Sequence, residues 1–193
     1  EAKDLVIGTH GRSIYKADIS ALQKHNSIGA KAIVVFDTEE IQSNRRWGMS
    51  FGSFSFFPET TIGFYSNAKA KLGINILSEG GALLNTIPVD ADAGYNYATY
   101  NLTMSDDGKK ALEKENSKLR VNQAQNGKIY LPPGTYTVQI IDAAGCDTTI
   151  TADIIAANDI LASITENDAT CTNSGICDGS AVLTVTSSGM YSV

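Results

Sequence analysis

Few residues of this chain are of the types and spacing that chemistry needs. Asp4, His10 and Ser13 bring a carboxylate, an imidazole and a hydroxyl within one short stretch, the residue types of a nucleophilic triad. A triad is defined by geometry, spacing alone says little, and the chain reads as having no nucleophile elbow, so these three define no catalytic site. Asp90, Asp92 and Asn96 offer oxygen ligands of the kind calcium takes. Calcium wants roughly six to eight oxygens, and the loop has neither that number nor the EF-hand pattern, so it reads as a solvated turn. No other cofactor is indicated. Cys146, Cys171 and Cys177 are the cysteines. Three is odd, so at most one intramolecular disulfide forms, and Cys146–Cys171, Cys146–Cys177 and Cys171–Cys177 all stay open. Any of them implies an oxidising compartment; three free thiols is the alternative. Zinc is disfavoured, because His10 and His25 lie far from the cysteines and their spacing matches no zinc pattern.

Aromatic residues crowd between Trp47 and Phe57, where Phe51, Phe54, Phe56 and Phe57 precede Pro58. Trp47, Phe54 and Phe56 are the candidates for contact with a ligand, although such clusters more often pack a core or a module junction. Asn101-Leu102-Thr103 is a formal N-glycosylation triplet, meaningful only in a eukaryotic secreted protein. The net charge of −6 leaves no basic stripe to neutralise phosphates, and Arg45-Arg46 is too small a patch, so a nucleic-acid partner is not expected. No apolar run approaches the roughly 20 residues that span a bilayer.

The elements that must position these groups are mostly strands. The clearest is the stretch KIYLPPGTYTVQIIDAAGCDTTI, Lys128 to Ile150. Tyr136, Val138 and Ile140 alternate with Thr135, Thr137 and Gln139, the period of a half-buried strand. Pro132-Pro133-Gly134 breaks the chain before it, and Asp142 to Gly145 turns it into a return strand. Lys71 to Leu77 alternates in the same way, Ser78 to Gly81 is a hairpin turn, and Ala82 to Val89 is the partner strand. Asp4 to Ile7 and Ser13 to Tyr15 are short strands, and Ala32 to Phe36 is a buried one. Asp18 or Ser20 caps a short helix that ends over Asn26 to Gly29, and Thr38 starts a helical turn over Glu39 to Gln42. Met104 to Val121 is charged and helix-prone with few apolar residues, which suits a short solvated helix or loop inserted between strands, with Asp106-Asp107 as the capping start of the helical insertion. After Ile155 a polar stretch marks a module boundary, followed by a strand from Leu161, a cysteine-bearing loop from Asp168 to Gly179, and a strand from Ser180 to Thr186.

Two resemblances follow from the motifs. DLVIGTHGRSIYKADISALQ is similar to the closing segment of bacterial sortilin-type β-propeller proteins, the group related to neuraminidase repeats and often called glycosyl hydrolases. In that group a strand pair completes the last propeller blade, an N-R-W-G segment follows, and then an immunoglobulin- or fibronectin-III-like sandwich. Here the matching pieces stand in order at Gly8 to Tyr15, Asn44 to Gly48, Ile74 to Gly80, Gly94 to Tyr97 and Pro133 to Val138. The second resemblance covers about residues 160–193. TCTNSGICDGSAVLTV resembles the opening of a repeat found in gliding-motility surface adhesins of Bacteroidetes, and Gly134 to Cys146 has the form of that repeat's close.

Together these imply a mainly β chain. Residues 1–48 are expected to hold the end of a propeller blade and a linker. Residues 49–157 are an immunoglobulin- or fibronectin-III-like β-sandwich with a short helical insertion, and 158–193 a partial second β-module. The chain opens without a signal peptide and stops soon after a strand, so it reads as a piece of a longer protein. The resemblance implies secretion or display on the outer cell surface through the type IX route. It also implies O-glycosylation at Thr148 within Asp147-Thr148-Thr149, and the rest of a propeller or an adjacent chain as partner. A propeller's site forms between several blades, so this chain is not expected to be an enzyme alone, whatever its parent does. The alternative is a module that binds a glycan or a surface protein.

Overall fold

The computed structural model describes residues 4–8, 10–11, 13–29, 31–156, 160–167 and 180–187. Its elements, in chain order, are β1 (Asp4–Gly8), β2 (Ile14–Asp18), α1 (Ser20–Gln23), α2 (His25–Ile28), β3 (Ile33–Val35), β4 (Ile41–Gln42), β5 (Ser50–Phe51) and β6 (Phe54–Ser55). Then come β7 (Thr60–Ser66), β8 (Ala70–Ser78), β9 (Leu83–Ala91), β10 (Gly94–Tyr100), β11 (Thr103–Met104), α3 (Asp106–Glu115), β12 (Ile129–Tyr130), β13 (Gly134–Asp142), β14 (Asp147–Ile155), β15 (Ile160–Asn167) and β16 (Ser180–Ser187). The protein is thus mainly β, in the sandwich class. It divides into two compact units, Glu1–Ile155 and Ala156–Val193. In the second, β15 and β16 form an antiparallel hairpin.

The first unit holds a five-stranded sheet in the order β4-β14-β13-β8-β9 and a three-stranded sheet in the order β10-β7-β3. Their inward residues share one core. Tyr136, Val138 and Ile140 of β13 are buried, as are Leu72, Ile74 and Ile76 of β8, because alternate side chains of a strand share a face. Ile62 and Phe64 of β7 answer them from the smaller sheet. Each such side chain stabilises the fold by about 1.5–3 kcal/mol relative to exposure. The outward face of the larger sheet is polar. Thr86 Oγ1 donates to Asn75 Oδ1 (2.9 Å), Asn75 Nδ2 to Gln139 Oε1 (3.2 Å), and Gln139 Nε2 to Asp147 Oδ2 (2.7 Å), a ladder across four strands.

Three local expectations change. Thr38 to Gln42 is not helical: Ile41–Gln42 is β4, paired parallel with Ile154–Ile155. A turn of helix so short cannot offset its nucleation cost, whereas the extended form packs Ile41 on the core. α1 has Ile19 at its N-cap with no side-chain cap bond, and the helical path continues as α2, where Ile28 is buried. α3 is shorter than the charged stretch that contains it and is not fully solvated. Its Gly108 and Leu112 are buried, and it packs on β9. Ser105 caps it by accepting from the Gly108 amide at 2.9 Å, and Asp106 and Asp107 lie in the first turn, where the helix dipole favours carboxylates.

β1 and β2 form a hairpin of their own, with Asp4 opposite Asp18 and Gly8 opposite Ile14. Leu5, Val6, Ile7, Ile14 and Tyr15 are all exposed, Ile14 by 79%. Since alternate residues face opposite ways, Leu5, Ile7 and Tyr15 leave one face of this hairpin apolar and open, while Val6 and Ile14 share the other with the Asp4–Lys16 ion pair.

Candidate functional site

The aromatic stretch splits into two roles. Trp47 is half-buried, packs on the core, and meets Tyr130 with ring centroids 6.0 Å apart. It is a structural residue. Phe56 is half-buried, with the Arg46 guanidinium 5.5 Å from its ring centroid and Phe51 edge-on at 6.3 Å. Phe54 is 74% exposed, and Phe51 and Phe57 are exposed beside it in sequence. Phe51 and Phe54 face each other across the β5–β6 hairpin because Gly52, with φ of 57°, turns the chain between them. Of the three aromatic candidates, Phe54 alone is freely presented. Phe51 belongs with it, and the Phe-Gly-Ser-Phe spacing of a tight turn was the signal for that pairing.

The run Gly48-Met49-Ser50-Phe51-Gly52 has the letters of a nucleophile elbow. Its context is a β-hairpin, not a strand-to-helix turn: the Ser50 amide donates to Gln125 Oε1 (3.1 Å), and its hydroxyl lies 3.3 Å from that of Ser55. The triad types fare no better. Asp4 is engaged by Lys16 across the hairpin at 2.9 Å, and His10 is exposed in its turn. In the β9–β10 turn the Asn96 amide is spent on the backbone. It accepts from the Asp92 amide (2.9 Å) and donates to the Asp92 and Gly94 carbonyls (2.8 and 3.0 Å). Asp92 faces Lys69 at 3.5 Å. Among the described residues no group of three or more His, Cys, Asp or Glu could hold a metal ion.

Cys146 is exposed at the end of the β13–β14 turn, where its amide donates to Asp142 Oδ1 at 2.9 Å. Cys171 and Cys177 lie outside the described residues. Thr148 is half-buried on β14, opposite Ile140, while Thr149 is exposed.

A second place was not visible in the sequence. Phe36 follows β3, and its amide donates to the Gly63 carbonyl at 2.9 Å; Gly63 pairs with Tyr97 in β10. The three form a row across the smaller sheet. A Cβ built on Gly63 would lie 3.4 Å from the Tyr97 ring and 3.5 Å from that of Phe36, so the two rings close over the glycine. Phe36 is buried and stacks on Tyr95 (5.8 Å), whose hydroxyl lies 2.9 Å from His25 Nδ1. Tyr97 is 65% exposed. Beside it lies a groove of about 440 Å³, lined by Ser20, Asp37, Glu39, Glu59, Thr61 and Tyr97 among others. Thr38 also lines it, and its Oγ1 is buried without a hydrogen-bond partner.

The strongest electrostatic perturbations are structural. Burial pushes the Tyr100 phenol far up, against a smaller lowering from a hydrogen bond with Asn85. Burial likewise pushes Tyr136 up. Both hydroxyls are satisfied, Tyr100 donating to the Thr103 carbonyl and Tyr136 to that of Pro132, each at 2.5 Å. These are satisfied core tyrosines rather than acid–base groups.

No protein-family model and no curated protein matched this chain.

Proposed function

We propose that this chain is a non-catalytic, accessory region of a secreted or surface-displayed β-propeller protein, where it braces the propeller and links it to further surface modules. The observation that carries this reading is the β1–β2 hairpin, with Leu5, Val6, Ile7, Ile14 and Tyr15 exposed. A two-stranded hairpin is marginal alone, and one with an open apolar face, and with Val6 and Ile14 exposed on the other, needs further strands and a cover. The outer strands of a blade, packed between neighbouring blades, have that need. The immunoglobulin- or fibronectin-III-like character of the sandwich, the adhesin-type repeat after it, type IX secretion and an origin in Bacteroidetes rest on the sequence motifs.

Hydrogen exchange tests this. In the chain alone, amides of Leu5 to Ile7 and of Ile14 and Tyr15 should exchange orders of magnitude faster than those of β8 and β13. In the parent protein they should be protected to the level of β13. Equal protection in both settings defeats the reading, and glycoside turnover by the chain alone would replace it with an enzymatic one.

A second reading, a glycan- or protein-binding adhesion module, draws on Phe51, Phe54 and Phe57, whose exposure at the β5–β6 hairpin leaves an apolar tip. A ligand found by surface display whose binding falls at least about ten-fold in Phe54→Ala would favour it, since aromatic anchors are commonly worth that much.

A further inference from the structure

We propose that the groove beside Tyr97 is a recognition site for an arginine side chain presented by a basic segment of a partner protein. It stands apart from the propeller reading, because none of the groove's described lining lies on the β1–β2 hairpin.

Shape comes first. The groove of about 440 Å³ has room for a side chain and its flanking backbone, which is less than the space a folded surface would need. Gly63 keeps its floor low: any side chain there would meet the Tyr97 and Phe36 rings. Phe36 is buried and fixed against Tyr95, while Tyr97 stays 65% open.

Charge decides the occupant. Asp37, Glu39 and Glu59 stand around the groove, and its described lining includes no Lys or Arg. Lys24 pairs with Asp37, which leaves Glu39 and Glu59 as the acceptors on the rim. Phosphate or carboxylate ligands are repelled by this set. A guanidinium fits it, because it is planar, carries five N–H donors, and stacks on an aromatic face while donating to a carboxylate. An ammonium satisfies the charge but not the stacking. The Thr61 hydroxyl adds a neutral acceptor at the same wall.

The test is a titration of the ¹⁵N-labelled chain, followed by amide shifts at low salt. The probe is an acetylated and amidated Gly-Arg-Gly peptide. The same peptide with citrulline, which keeps the shape and loses the charge, is the neutral arm, and maltotriose is the sugar arm. The arginine peptide should give saturable shifts at Thr61, Gly63 and Tyr97, weakened by added salt because the rim charges are exposed. Tyr97→Ala should weaken binding about five-fold, the scale of a partly exposed cation–π contact. Glu59→Gln should also weaken it, and as an exposed substitution it leaves the fold intact, as unchanged β13 amides will verify. No saturable shift overturns the proposal. So does equal response to citrulline, or a response confined to maltotriose, which would make the groove a glycan site.

Discussion

Gly108 of α3 sits against the backbone of Leu84 in β9, so closely that a Cβ on Gly108 would fall 2.2 Å from the Leu84 carbonyl oxygen and 2.6 Å from its Cα. The same carbonyl accepts from the Ser105 amide (2.9 Å) and from Ser105 Oγ (3.1 Å). One peptide group of β9 thus receives both the capping residue and the first turn of the helix.

Helix propensity and packing therefore pull opposite ways at residue 108. Exposed in a helix interior, Gly→Ala gains about 1 kcal/mol. Here Gly108→Ala must move the helix off rigid backbone, which costs about 1–3 kcal/mol or more. The expected outcome in urea unfolding is net destabilisation. A stabilised variant would show that α3 does not rest on β9.

Burial separates the two kinds of large apolar residue in this chain. Ile140 is fully buried between strands, and Ile140→Ala should cost about 2–5 kcal/mol. Phe54→Ala, at a 74% exposed position, should stay within about 0.5 kcal/mol of the parent. Denaturant midpoints measured side by side check both, and a large loss at Phe54 would mean that the β5–β6 tip is packed.

Alkaline stability should reveal the two buried phenols. Burial raises both Tyr100 and Tyr136 above their ordinary value of 10.0, so the folded state holds two protons that the unfolded chain releases. Their contribution is fully present below pH about 10 and is lost as pH rises above it, with a slope of up to about 2.7 kcal/mol per pH unit for two protons. Tyr136→Phe removes one proton from that slope and also the hydrogen bond to the Pro132 carbonyl. Urea melts between pH 8 and pH 11.5 measure it; an unchanged slope in the variant contradicts the assignment.

Thiol chemistry addresses the module boundary. Cys146 is exposed, and with three cysteines one intramolecular disulfide leaves one thiol. Alkylation of the oxidised chain before reduction should add one label, and after reduction three. Three labels without reduction would establish free thiols throughout, and peptide mapping identifies the pair.

The sandwich strands were legible because their signal is local. Tyr136, Val138 and Ile140 repeat at period two, Pro132-Pro133-Gly134 opens that strand, and Ser78 to Gly81 closes the β8–β9 hairpin; each is a property of neighbouring residues. Ile41–Gln42 reads as helical in sequence because its reward, a parallel pairing with Ile154–Ile155, lies over a hundred residues away.

Sequence by itself determined the mainly β composition and the alternating inward faces, both set by short-range periodicity and side-chain chemistry. Only the tertiary structure decided that Phe36, Gly63 and Tyr97 form one row beside an acidic groove, that Trp47 turns inward while Phe54 turns out, and that Gly108 touches Leu84. The physical reason is register. Which residues of distant strands and helices face each other depends on how whole elements slide and pack, and no single stretch of chain encodes it.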